Sequence, residues 1–173
     1  MPRAAAVRTF IAVLGCVLLG AACSHPTQGV AVSAPKPRDV WQLAEQLVAR
    51  TPLTADKFSE LLGTELQPDK ANPVRLNGGP VQLSPTLQVS SSVIAINDGR
   101  WLFASVDIDP TPCITTDMVR ARYPSAEQTH APTGHSAYEE FVWSVTYGWG
   151  TLNFGIREKE QCLTGISVER ADS

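Results

Sequence analysis

Leu87–Ile108 reads LQVSSSVIAIN, then DG, then RWLFASVDI. Two runs rich in β-branched and aromatic residues flank Asp98-Gly99, the dipeptide that accepts positive φ at both central positions of a tight hairpin turn. The pattern predicts a long antiparallel hairpin. It also predicts a register, with Ile96 opposite Trp101, Ala95 opposite Leu102, Ile94 opposite Phe103 and Val93 opposite Ala104. On that register one face carries Leu87, Val89, Val93, Ala95, Leu102, Ala104, Val106 and Ile108, which suffices for a core face. The other face is polar far from the turn and apolar near it, at Ile94, Ile96, Trp101 and Phe103. Those side chains need a cover. A helix expected at Asp39–Ala49 supplies one; otherwise they form an exposed patch on which a partner protein docks.

Further strands are expected on both sides. Downstream, Glu139–Tyr147, Thr151–Arg157 and Cys162–Glu169 alternate in the strand period, with turns at Gly148 and Gly150 and at Glu158–Gln161. Upstream, Val74–Leu76 and Val81–Leu83 read as short edge strands. Asp39-x-x-Gln42 is a capping-box pattern, and Val40, Leu43, Ala44, Leu47 and Val48 share one helical face. Thr54 caps a second helix that Gly63 stops, and Leu53 and Phe58 are placed to staple it. A third helix runs from Thr115 to Pro124, and Ser125–Ala137 reads as a polar loop. The expected class is α+β: an antiparallel sheet of hairpins and meanders with two or three short helices packed on it. Leu53–Phe58 and Ile114–Val119 share the pattern apolar-Thr-x-Asp-x-apolar, which hints at two similar halves, 39–109 and 110–173.

The start of the chain indicates where the protein goes. Arg3 and Arg8 precede the uncharged run Phe10–Ala22, too short to span a bilayer, so residues 1–22 read as a signal peptide. Leu19-Gly20-Ala21-Ala22-Cys23 resembles the lipobox of bacterial lipoproteins, with Gly20 where that family usually has Leu. The resemblance implies that Cys23 takes a diacylglycerol and an acyl chain. The protein is then anchored to a bacterial membrane, either the outer membrane facing the periplasm or the outer face of the cell membrane. Residues 23–38, with Pro26, Pro35 and Pro37, read as a disordered tether, and 39–173 as the globular domain. Cys16 leaves with the leader and Cys23 carries lipid. Cys113 and Cys162 remain, and in an oxidising compartment they are expected to form a disulfide.

The short helix ending Leu61-Leu62-Gly63, followed by an antiparallel meander, loosely resembles two families. One is the small outer-membrane lipoprotein of the barrel-assembly machinery; the other is the β-lactamase inhibitory protein. The resemblance implies helices on one side of the sheet and a protein-binding role. It transfers no functional residue.

A net charge of −3 without a Lys/Arg cluster argues against nucleic-acid binding. No Gly-x-Ser-x-Gly, phosphate loop, dinucleotide fingerprint or calcium loop is present. Glu139-Glu140, Asp107-x-Asp109 and Glu158-x-Glu160 fall at strand ends and turns, where water solvates them. His130 and His135 read as exposed loop residues, and a hydrolase using them is the third-ranked function. No catalytic residue, metal ligand or cofactor is assigned. The leading expectation is a non-enzymatic envelope lipoprotein that binds another protein, as an assembly accessory, inhibitor or immunity factor. The alternative is a module for cell-wall glycan or peptide, stacking its ligand on Trp143, Tyr147 and Trp149.

Overall fold

The computed structural model describes residues 35–136 and 138–171, apart from the side chain of Pro110. The leader, Cys23 and most of the tether lie outside the described residues. In chain order the elements are α1 (Val40–Ala49), α2 (Ala55–Leu62), β1 (Gln67–Pro68), β2 (Arg75–Gly78), β3 (Val81–Ser84), β4 (Leu87–Asn97), β5 (Arg100–Pro110), α3 (Thr116–Arg122), β6 (Glu127–His130), β7 (Glu140–Tyr147), β8 (Gly150–Arg157) and β9 (Leu163–Arg170). The strands form one nine-stranded sheet in the order β1-β2-β4-β5-β9-β8-β7-β6, with β3 also on β4. Every pairing is antiparallel. With three helices and one disulfide, this is the expected α+β class.

The helices start and stop where the sequence says. Asp39 Oδ1 accepts the Gln42 amide at 2.8 Å, and Thr54 Oγ1 accepts that of Lys57 at 3.2 Å. Gly63 ends α2 at φ 66°, a conformation that favours glycine. Leu43 and Leu47 of α1, Phe58, Leu61 and Leu62 of α2 and Val119 of α3 share one core with Ile94, Ala104, Val106, Leu152, Phe154, Ile156, Ile166 and Val168 of the sheet. The architecture is therefore two layers, helices against one sheet face. Among the described residues no helix is long and apolar enough to cross a membrane.

The hairpin turn forms as its dipeptide requires, with φ 50° at Asp98 and 71° at Gly99. Ile96 pairs with Trp101 as expected, but the register then shifts: Ala95 faces Phe103, Ile94 faces Ala104 and Val93 faces Ser105. Leu102 is the extra residue of one bulge. A second bulge, between Val89 and Ser91, leaves Ser90 as the extra residue. A bulge inserts one residue and so inverts the in–out alternation beyond it. Together the two bulges carry Ile94, Ile96 and Trp101 to the helix side and turn Val93 to the other. The expected core face is thus corrected: Leu87, Val89, Ala104, Val106 and Ile108 remain in it, Ala95 is buried outside that core cluster, and Val93 and Leu102 are only partly buried.

A second correction concerns the polar loop. Its first part is an edge strand, β6, which pairs with β7 although all four of its residues are exposed. A strand whose side chains all meet water carries no hydrophobic alternation to read. The expected disulfide joins Cys113 to Cys162 with Cα atoms 5.4 Å apart, linking the segment before α3 to the start of β9. The two halves, 39–109 and 110–173, contribute strands to one sheet through the pairing of β5 with β9.

The sheet face away from the helices is small and polar. Thr129 and Ser144 share a hydrogen bond at 2.6 Å, and Asn153 donates to Ser167 at 3.2 Å. Phe103 also lies on this face, with the Arg75 guanidinium 5.7 Å from its ring centre.

Candidate functional site

Strand order brings three chain segments to one end of the sheet. Asn97 pairs with Arg100 at the tip of the β4–β5 hairpin, and Tyr147 pairs with Gly150 at the tip of β7–β8. Gly150 pairs in turn with Arg170, at the end of β9. The connection from α1 to α2 closes over these tips with Pro52 and Leu53. The space between them is an open-mouthed cavity of about 580 Å³, inside the range typical of small-molecule sites.

Its aromatic wall is Trp101 and Trp149, with ring centroids 5.8 Å apart and planes inclined at 52°. Trp101 is 5% exposed and anchored in the core. Its Nε1–H is buried and meets no acceptor. Trp149 stands between the strands at the β7–β8 tip, where Tyr147 stacks on it at 5.2 Å and 8°. The Ala171 amide donates to the Trp149 carbonyl at 3.1 Å and fixes the backbone there. Gly150 allows this approach, because a Cβ would overlap the Glu169 carbonyl oxygen and come within 3.0 Å of Arg170 Cα.

Among the described residues, the titratable side chains lining the cavity are Lys57, Arg100 and Arg170, all cationic. Lys57 Nζ donates to the carbonyls of Pro52 at 3.0 Å and Arg50 at 3.3 Å, which ties the first turn of α2 to the lip of the cavity. Arg100 is exposed at the hairpin tip.

The structure redistributes the residues singled out from sequence. Tyr147 and Trp149 come together, but Trp143 does not join them. It lines a separate cavity of about 350 Å³ with Phe141, beside α3, and the Arg120 guanidinium lies 5.4 Å from its ring centre. The proposed docking patch does not form. Ile94 is fully buried, Trp101 nearly so, and Ile96 packs on the core from the same side. Phe103 alone of the four lies on the opposite face. The bulges at Ser90 and Leu102 are the physical reason. Trp101 as a pocket wall and the basic lining residues were missed. Trp101 and Trp149 both sit near hairpin turns, which sequence shows. That the tips meet depends on the order β5-β9-β8-β7, which it does not.

The histidines do not share a site. His130 lies on β6 in a shallow polar depression with Thr129, Ser144 and Asn153. His135 Nδ1 is 2.6 Å from Thr133 Oγ1 in the following loop. The nearby Glu139 carboxylate is engaged in building that loop. It accepts the amides of Thr133, Gly134 at 3.0 Å, His135 at 3.0 Å and Ser136 at 3.1 Å. Desolvation pushes its pKa up, but the bonds from Thr133, Gly134 and His135 outweigh that and hold it below the ordinary value. Among the described residues no three His, Cys, Asp or Glu side chains are grouped to hold a metal ion. Comparison of the chain with protein-family models, with curated proteins and with solved structures finds no match.

Proposed function

We propose that this chain is a non-enzymatic binding module of a bacterial cell envelope, exported and lipid-anchored at Cys23. Its ligand is a fragment of cell-wall glycan or peptide, held in the Trp101–Trp149 cavity. One observation carries the reading: a cavity of about 580 Å³ walled by two indoles. Rigid aromatic surfaces on strand-borne turns bind planar or apolar ligand faces at little entropic cost. The docking of a protein on Ile94, Ile96, Trp101 and Phe103 loses its support, because its central side chains are core.

Isothermal titration of glycan and peptide fragments tests the pocket. A saturable heat from at least one fragment, lost in Trp149→Ala, is expected. No heat from any fragment, or equal heat in the variant, rejects it. Mass spectrometry of the membrane-extracted protein tests the anchor. A first residue Cys23 carrying diacylglycerol is expected, and an uncut or bare start removes that part.

A further inference from the structure

We infer that the ligand of the Trp101–Trp149 cavity is an anion, bearing a carboxylate or phosphate on an aromatic or apolar body. The inference rests on the pocket reading above and specifies the group recognised.

The chain as a whole is acidic, with a net charge of −3. Among the described residues the cavity lining has the opposite sign: Lys57 and Arg100 supply positive charge there, and no described Asp or Glu lines it. Asp56, Asp98 and Glu169, each next in sequence to a lining residue, are exposed and are not among the described lining residues. A low-dielectric wall of indole, Leu53 and Pro52 beside fixed positive charge strengthens attraction to an anion relative to open water. The Lys57 ammonium is held at the lip by two carbonyls, so its charge is fixed in place before a ligand arrives, and an ammonium has three donors. Thr54, the N-cap of α2, lines the same wall, and the first turn of a helix adds a partial positive charge. Donors and positive charge thus surround apolar surface in one concavity. That combination fits an acylated amino acid, a peptide C-terminus or an aryl or sugar phosphate better than a neutral glycan.

The test uses the full chain carrying Cys23→Ala, which removes the lipid and leaves the cavity unaltered. Hippurate and hippuramide have nearly the same shape and differ by one charge; phenyl phosphate supplies the other anion. Titration is expected to give binding of hippurate, phenyl phosphate or both, with the carboxylate and phosphate arms identifying the preferred group. Hippuramide is expected to bind about tenfold or more weakly than hippurate where the carboxylate is preferred, as the loss of a charged hydrogen bond implies. Arg100→Gln, at an exposed position, is expected to erase the preference for anions while its circular dichroism matches the parent. Raising salt from about 0.05 to about 0.5 M is expected to weaken the anions alone. Equal binding of hippurate and hippuramide without phenyl phosphate binding, or unchanged anion affinity in Arg100→Gln, overturns the inference and leaves the pocket reading intact. So does binding confined to neutral glycan fragments. Absence of heat from these probes and from every glycan and peptide fragment overturns both.

Discussion

Trp101 and Trp149 belong to different hairpins, yet their rings meet at 5.8 Å. One is core and the other is partly open, so their truncations separate stability from binding. Trp101→Ala removes a nearly fully buried indole and is expected to cost about 3–5 kcal/mol. Trp149→Ala is expected to cost clearly less and to abolish ligand binding in a folded protein. Urea denaturation of both variants, beside titration, checks this. A Trp101→Ala protein of parental stability would show that the ring is not part of the core.

The hairpin, the helix caps and the disulfide were legible because each rests on local chemistry. Asp98-Gly99 demands a particular turn, Asp39 and Thr54 reach amides three residues on, and Cys113 and Cys162 were the pair left over. The inward and outward faces of β4 and β5 were not legible. Ser90 and Leu102 carry no signature of a bulge, and one inserted residue in each strand sends Ile94 and Trp101 to the opposite face. The pocket was half legible. Tyr147 and Trp149 are neighbours in sequence, whereas Trp101, Lys57 and Arg100 reach them only through strand order and the α1–α2 connection.

Gly150 and Gly148 flank the same turn and are expected to respond in opposite ways. At Gly150 a methyl group would overlap backbone of β9, which cannot rotate away as a flexible side chain can. Gly150→Ala is expected to cost about 2–3 kcal/mol, as overpacking does, and to weaken binding by displacing Trp149. At Gly148 nothing lies within 4 Å of the added atom, and Gly148→Ala is expected to stay within about 0.5 kcal/mol of the parent. Thermal denaturation of the pair gives the answer. Equal melting temperatures would mean that β9 yields at this contact.

Glu139 predicts a local pH response. Its folded pKa is depressed, on balance, by the amides of Thr133, Gly134 and His135 working against desolvation. A depressed carboxylate contributes stability above its unfolded pKa and loses it as pH falls through the folded one. The loop 133–136 should therefore keep its amide protection at neutral pH and lose it in acid, below the ordinary carboxylate range. Glu139→Gln should lose it at every pH. Hydrogen exchange of these amides reads both effects. Protection that is independent of pH in the parent would show that the carboxylate does not hold the loop.

Tyr123 is packed among Trp41 and Phe154, at centroid distances of 6.3 and 5.0 Å, with its hydroxyl buried and without a partner. Desolvation, followed by the negative charges of ionised Tyr147 and of Glu45 and opposed by Arg122, pushes its pKa up to about 12. A raised folded pKa means that the contribution is fully present below the unfolded value and is lost as pH rises through the folded one. Stability should therefore fall from about pH 10 and level off near 12. In a spectrophotometric titration one of the three tyrosines should ionise late. An unpaired buried hydroxyl costs about 1–3 kcal/mol, so Tyr123→Phe is expected to raise stability, by about 1 kcal/mol once partial exposure is allowed for. It should also remove both the late titration and the alkaline loss. A less stable Tyr123→Phe protein would show that the hydroxyl has a hydrogen-bond partner in solution.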